Sequence, residues 1–134
     1  MKKVLFSVAV CVGFLTVPAM AKDKVTTYQV HFDKGATGTV LKGHVKGYDT
    51  VNYIFDTKKG QDIHVSLESK KAYMNIFEPG KSLDDIAVFI GSIKGENYND
   101  SLVKSGRYTI QVYLMRNEAR RGTDAPYTLH IEID

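Results

Sequence analysis

Short segments in which apolar and polar residues alternate are the feature that most restricts how this chain folds. A period of two places successive side chains on opposite faces of a β-strand, and no window keeps a helical period for long. Alternating Tyr, Val, Ile and Phe suit pleated surfaces that are covered on one side. We therefore predict a single all-β domain, an antiparallel, jelly-roll-like β-sandwich of about eight strands. The eight segments are 28–32, 39–45, 51–57, 61–67, 72–77, 86–90, 107–114 and 126–133.

Two longer stretches lack clear alternation, namely 91–106 and 115–125. Both are predicted to be surface loops, and residues 81–86 are predicted to form at most one helical turn. Connections of this length are uncommon in a compact domain unless they have a function.

The first 21 residues have the order of a secretory signal peptide: Lys2 and Lys3, an apolar run from Val4 to Val17, and then Ala-Met-Ala. The run is shorter than the roughly 20 residues that a membrane span needs. We predict cleavage after Ala21, so that residues 22–134 form the domain. The single cysteine, Cys11, would leave with the leader, and the stability of the domain would then come from packing without disulfides.

The charge balance limits the classes of partner. Of 18 Lys and Arg residues, Lys2 and Lys3 lie in the leader, which leaves 16 against 15 Asp and Glu residues, a net charge of +1. A nucleic-acid binder would usually show a basic face and a high domain pI. No Lys/Arg block is long enough to hold a membrane surface, so neither nucleic acid nor a membrane is expected as a partner of the mature domain.

Motifs of common enzymes are absent from the sequence: there is no HExxH, G-x-S-x-G or Walker A motif, and no cysteine nucleophile outside the leader. The histidines, His31, His44, His64 and His130, all fall within predicted strands, and their spacing gives no reason for them to converge on a metal. Acidic residues in loops, such as Asp84, are more often turn formers than calcium ligands. We predict no catalysis, no metal and no cofactor.

Binding is better supported by the residues. The two predicted loops and the strand start after the first contain Tyr and Arg, which are enriched at interface hot spots. The candidates are Ser105, Arg107, Tyr108, Arg116, Asn117, Arg120 and Arg121.

Five stretches resemble, in order and spacing, the bacterial periplasmic inhibitors of goose-type (g-type) and invertebrate-type (i-type) lysozymes. They are 46-KGYD-49, 58-KKGQDIHVSL-67, 78-EPG-80, 105-SGRY-108 and 116-RNEARR-121. The resemblance spans nearly the whole chain after the leader. It implies a β-sandwich in the periplasm that inserts loops into the active-site cleft of a lysozyme.

For individual residues, the resemblance implies that Ser105 and Tyr108 insert into the cleft and that Gly106 allows a sharp turn. It implies a second contact through the lysozyme-binding candidates Arg116, Asn117, Arg120 and Arg121, with Tyr48 of the KGYD stretch as a further one. Each has a structural alternative: the tetrapeptide 105–108 as a strand-opening turn, the arginine stretch as a solvated hairpin, and Tyr48 as a packed ring.

Three alternatives stay open at this point. The sequence does not separate the g-type from the i-type branch, and it leaves open whether the chain forms a homodimer. A sandwich of this kind could also be a non-catalytic module that binds carbohydrate or peptidoglycan. That function would require exposed aromatic residues arranged as a platform, and the chain has no Trp.

Overall fold

A computed structural model describes residues 23–102 and 104–134. The predicted leader, 1–21, lies outside the described residues. Nine strands and two short helices make up one domain. In chain order they are β1 (Val25–Gln29), β2 (Gly38–Lys46), β3 (Thr50–Thr57), β4 (Asp62–Glu68), β5 (Ala72–Phe77), β6 (Phe89–Ile90), α1 (Gly91–Lys94), β7 (Asn97–Ser101), β8 (Gly106–Leu114), α2 (Arg116–Arg120) and β9 (Asp124–Ile133).

The strands form two sheets, which confirms the predicted sandwich. The five-stranded sheet has the order β1-β3-β8-β5-β6, and the four-stranded sheet has the order β2-β9-β4-β7. All neighbouring strands are antiparallel except β1 and β3, which run parallel from Val25 beside Thr50 to Gln29 beside Ile54. The longest pairing joins β2 to β9 over nine residue pairs.

Alternate residues of the strands fill the space between the two sheets. Phe55, Ile110 and Val112 of the five-stranded sheet are buried, as are Val65 and Leu129 of the four-stranded sheet. These positions keep the phase that the sequence pattern predicts, so burial of one face explains why the segments fold as strands.

The predicted strand boundaries differ from the structure in several places. The predicted first strand began at Tyr28, whereas β1 begins at Val25 and ends before His31, which lies outside any strand. The apolar segment 86–90 contributes only the two residues of β6, and Ile86 is exposed. Residues 81–86 form turns and no helix.

Both predicted loops contain regular structure, so these two predictions were wrong. Residues 91–106 hold α1, the strand β7 and the start of β8. Strand β7 pairs with β4 at the edge of the four-stranded sheet and buries Tyr98 alone among its five residues. Residues 115–125 hold α2 and the start of β9.

The connections between strands gather at the two ends of the sandwich. One end, here called the serine end, is formed by residues 58–61, 78–88, 102 and 104–105, and it is followed by Gly106, the first residue of β8. The other, the arginine end, is formed by 47–49, 69–71 and 115–123, with α2 after the last residue of β8. Because β8 runs from one end to the other, candidate residues that precede β8 and those that follow it lie at opposite ends of the sandwich.

Candidate functional site

The arginine end brings Tyr48 beside α2. The Gly47 N–H donates to the carbonyl of Thr123 at 3.0 Å, and Lys46 pairs with Asp124 at the start of β9. Gly47 has a φ of 59°, a left-handed conformation that glycine adopts without strain. Tyr48 itself is 48% exposed. The turn between β2 and β3 therefore presents a tyrosine next to the arginine-bearing segment.

A single carboxylate holds α2 in place. Glu118 is buried and accepts hydrogen bonds from Lys71 Nζ at 2.7 Å, Thr123 Oγ1 at 2.7 Å and Arg121 Nη2 at 2.9 Å. Chiefly because Lys71 donates to it, helped by the Thr123 and Arg121 bonds, the pKa of Glu118 is lowered to about 2. The carboxylate is thus ionised over the whole neutral range, and it ties the helix to the β4–β5 turn and to the start of β9.

This anchoring leaves other side chains of α2 to face solvent. Arg116, Asn117 and Arg120 are exposed, and within residues 23–102 and 104–134 the two arginines form no ion pair. Arg121 differs, because its guanidinium is committed to Glu118. The four candidates of the arginine stretch therefore divide into three that can contact a partner freely and one that also supports the helix.

At the serine end, Ser105 and Gly106 belong to a tight junction between three connections. Ser105 Oγ accepts a hydrogen bond from the Lys59 N–H at 2.8 Å, and the Gly106 carbonyl accepts one from Thr57 Oγ1 at 2.9 Å. Gly106 has a φ of 142°, and a Cβ there would come within 2.7 Å of the side chain of Pro79. Glycine is required by both the conformation and the close approach.

Tyr108 lies in the core and not at the surface. Its side chain is 2% exposed, and its ring stacks on Phe55 with centroids 6.0 Å apart and planes at 18°. Burial raises the pKa of its hydroxyl group. As placed, this ring offers no surface to cover a sugar-binding site, and its neighbour Arg107 donates to Asp56 Oδ1 at 3.1 Å.

The structure does not bring the two groups of candidates together. Ser105 precedes β8 and Arg116 follows it, and at about 3.3 Å per residue its nine residues hold the two ends about 26 Å apart. Ser105 and Gly106 thus form one cluster, while Tyr48, Arg116, Asn117, Arg120 and Arg121 form another.

Sequence reasoning missed Glu118, Lys71 and Thr123, the residues that shape the arginine end. One signal was present, since Glu118 is the only acid within 116-RNEARR-121 and a lone acid among arginines can organise them. Lys71 could not be inferred, because it reaches Glu118 from 47 residues away in the chain.

The histidines do not converge. His44 Nδ1 lies 2.9 Å from Asp124 Oδ1, His64 pairs with Asn99, and His130 lies 3.8 Å from Glu68. Across the described part of the chain, no three His, Cys, Asp or Glu side chains are grouped so that they could hold a metal ion. Likewise, no helix in residues 23–102 and 104–134 is long and apolar enough to cross a membrane.

A β-sandwich that presents exposed arginines and a tyrosine at one end is typical of proteins that recognise a macromolecule through the segments that connect their strands. No family model matches the chain. It is 34% identical over 122 residues, 90% of each protein, to the inhibitor of g-type lysozyme of Escherichia coli strain K12.

Two solved structures are also similar. The Aeromonas hydrophila protein PliG, a periplasmic inhibitor of g-type lysozyme, is 39% identical with a TM-score of 0.78, over 84% of this chain and 100% of that one. PliG of Salmonella Typhimurium is 35% identical with a TM-score of 0.64, over 81% of this chain and 98% of the other.

The chain belongs to the family of bacterial inhibitors of g-type lysozyme. The solved members are periplasmic proteins, and the periplasm is the location of this chain as well. The predicted family is confirmed, and between the two branches that the sequence left open, the relatives are inhibitors of g-type lysozyme.

Proposed function

We propose that this protein inhibits g-type lysozyme in the periplasm and that its arginine end is the part that enters the active-site cleft. One observation carries the second half of the proposal: Glu118 anchors α2 so that Arg116 and Arg120 stay exposed at the same end of the sandwich as Tyr48. We also propose that the leader is cleaved after Ala21 before the protein acts as an inhibitor.

The chemistry of the two surfaces is complementary. A lysozyme cleft contains a catalytic carboxyl group among sugar-binding subsites. An arginine can pair with a carboxylate through two parallel hydrogen bonds, and a tyrosine ring can cover the apolar surface on which a sugar would pack. Substrate is then excluded because the cleft is occupied, and the inhibitor needs no chemistry of its own.

The anchoring of α2 also favours tight binding. Association loses affinity when flexible loops must be ordered at the interface. Here three side-chain hydrogen bonds to Glu118 and the backbone bond from Gly47 to Thr123 order the segment before any partner arrives. Exposed arginines also raise the association rate with a surface that carries carboxylates.

The serine end is the alternative insertion element, and the structure supports it less. The Tyr108 ring is enclosed by the core, and Ser105 Oγ already accepts a hydrogen bond from Lys59. Since the two ends lie about 26 Å apart, both cannot reach one catalytic carboxyl group. We propose that residues 105–108 act as a turn that closes the serine end.

Single substitutions at the two ends distinguish these alternatives. We expect Arg120→Ala to weaken inhibition of a g-type lysozyme at least tenfold, equivalent to about 1.4 kcal/mol, with an unchanged melting temperature. Ser105→Ala is the control at the serine end and should inhibit like the parent. The reverse outcome, with Ser105→Ala inactive and Arg120→Ala fully active, would place the contact at the serine end.

Arg121→Ala is a second, matched control within α2. Because Arg121 is paired with Glu118, its removal should lower stability as well as inhibition, whereas removal of Arg120 should lower inhibition alone. Parallel assays with i-type lysozyme test whether recognition is limited to the g-type, which we expect.

A further inference from the structure

The outer face of the five-stranded sheet differs in charge from the outer face of the four-stranded sheet. Across its three central strands, the only charged side chains that point outward are Asp56 and Arg107, and these pair with each other at 3.1 Å. The outer face of the four-stranded sheet instead carries a mixed set of charges: Lys42, Lys46, Asp62, Glu68, Asp124 and Glu132. A face this neutral is notable in a chain of which 25% of residues are charged.

A row of side-chain amides crosses this face. Asn52 on β3 lies opposite Gln111 on β8, which lies opposite Asn75 on β5. Neighbouring strands are about 4.8 Å apart, so the three amides form a line of about 10 Å. Each amide offers two donors and an acceptor without carrying charge. Such a line suits a ligand rich in hydroxyl or amide groups.

One member of the row has an unmet hydrogen-bonding requirement. Asn52 is 4% exposed, and its Oδ1 has no hydrogen-bond partner among the described residues. Buried polar atoms in folded proteins nearly always have a partner, and a group bound at this face would supply one to Asn52. Gln111, directly opposite Asn52 on the neighbouring strand, is only partly buried, so the amide row is accessible from solvent beside Asn52.

Two tyrosines stand in the adjacent row. Tyr73 and Tyr113 lie opposite each other on β5 and β8, with ring centroids 6.2 Å apart and planes at 35°. The Tyr113 hydroxyl donates to Asn75 Oδ1 at 3.1 Å, which joins the aromatic pair to the amide row. Tyr73 is 37% exposed. Aromatic rings with a polar tip suit ligands that combine apolar faces with hydroxyl groups.

We propose that this outer face, defined by Asn52, Tyr73, Asn75, Gln111 and Tyr113, binds a neutral oligosaccharide. The tyrosine pair packs against the C–H faces of the sugar rings, and the amide row exchanges hydrogen bonds with their hydroxyl or acetamido groups. This activity is separate from lysozyme inhibition. A bound glycan chain would hold the inhibitor close to the kind of polymer that lysozyme cleaves.

Titration of the ¹⁵N-labelled protein with chitohexaose and with cellohexaose, followed by NMR, tests the proposal. The side-chain NH₂ signals of Asn52, Asn75 and Gln111 should shift with at least one of the two sugars, while the backbone signals of α2 should not. The double variant Tyr73→Ala with Tyr113→Ala should bind at least tenfold more weakly, and Tyr113→Phe should retain binding. Tyr28→Ala removes an exposed tyrosine from another surface and should bind like the parent.

Three results would overturn the proposal. They are the absence of any NMR shift with either sugar at millimolar concentration, NMR shifts confined to other surfaces, and unchanged sugar binding by the folded double variant. Lysozyme inhibition is measured on the same variants, because Tyr113 precedes α2 by three residues. Loss of inhibition with unchanged sugar binding would assign the pair to lysozyme and reject the glycan site. Failure of the parent to inhibit lysozyme would leave the sugar titration unaffected, so the two functions are tested separately.

Discussion

Replacement of Tyr108 by alanine distinguishes a core residue from an inserting one. The side chain is 2% exposed and stacks on Phe55, so its truncation leaves a cavity and removes an aromatic pair. Truncation of a buried aromatic side chain to alanine costs roughly 3–5 kcal/mol. For a domain of this size, where 1 kcal/mol shifts the melting temperature by roughly 4 °C, we expect a decrease of roughly 12–20 °C.

The assay combines thermal unfolding, followed by circular dichroism, with inhibition measured well below the lowered midpoint. The folded variant should still inhibit, because its arginine end is intact. Tyr108→Phe keeps the ring and should lower stability by less than about 1 kcal/mol. An alanine variant with an unchanged melting temperature and no inhibition would refute the assignment of Tyr108 to the core.

Two further predictions concern buried polar contacts. Glu118→Gln should lower the melting temperature at pH 7, and because the folded pKa is about 2 against an ordinary 4.5, the difference should shrink as pH falls from about 4.5 to 2. A difference that is constant from pH 7 to pH 2.5 would contradict this. Tyr53 and Tyr127 share a buried hydrogen bond of 2.6 Å, so either Phe variant should lose about 1–3 kcal/mol in urea unfolding. The double Phe variant should lose less than the sum, and strict additivity would show that the hydroxyl groups do not interact.

The sandwich could be predicted because alternation survives wherever a strand buries one face. Strand β7 was missed since, of Asn97–Ser101, only Tyr98 is buried, and an edge strand with one inward residue has no period to detect. Helix α2 was missed because five residues are too few to show a helical period, and its position depends on the distant Lys71.

The sequence suggests candidate residues but does not show how they are arranged in space. The phase of β8 already favours burial of Tyr108, which alternates with the buried Ile110 and Val112. The resemblance to lysozyme inhibitors indicated instead that its ring inserts into the cleft. The separation of Ser105 from Arg116 follows from β8 forming one uninterrupted strand between them, and residue types alone do not reveal that distance.

The proposed inhibition is tested most directly by titration of a purified g-type lysozyme with the mature protein, residues 22–134, in a turbidity assay on cell walls. We predict that lysozyme activity falls with added protein to complete inhibition, and that Arg120→Ala moves the curve to at least tenfold higher concentration. Full lysozyme activity in a large molar excess of the folded protein would contradict it.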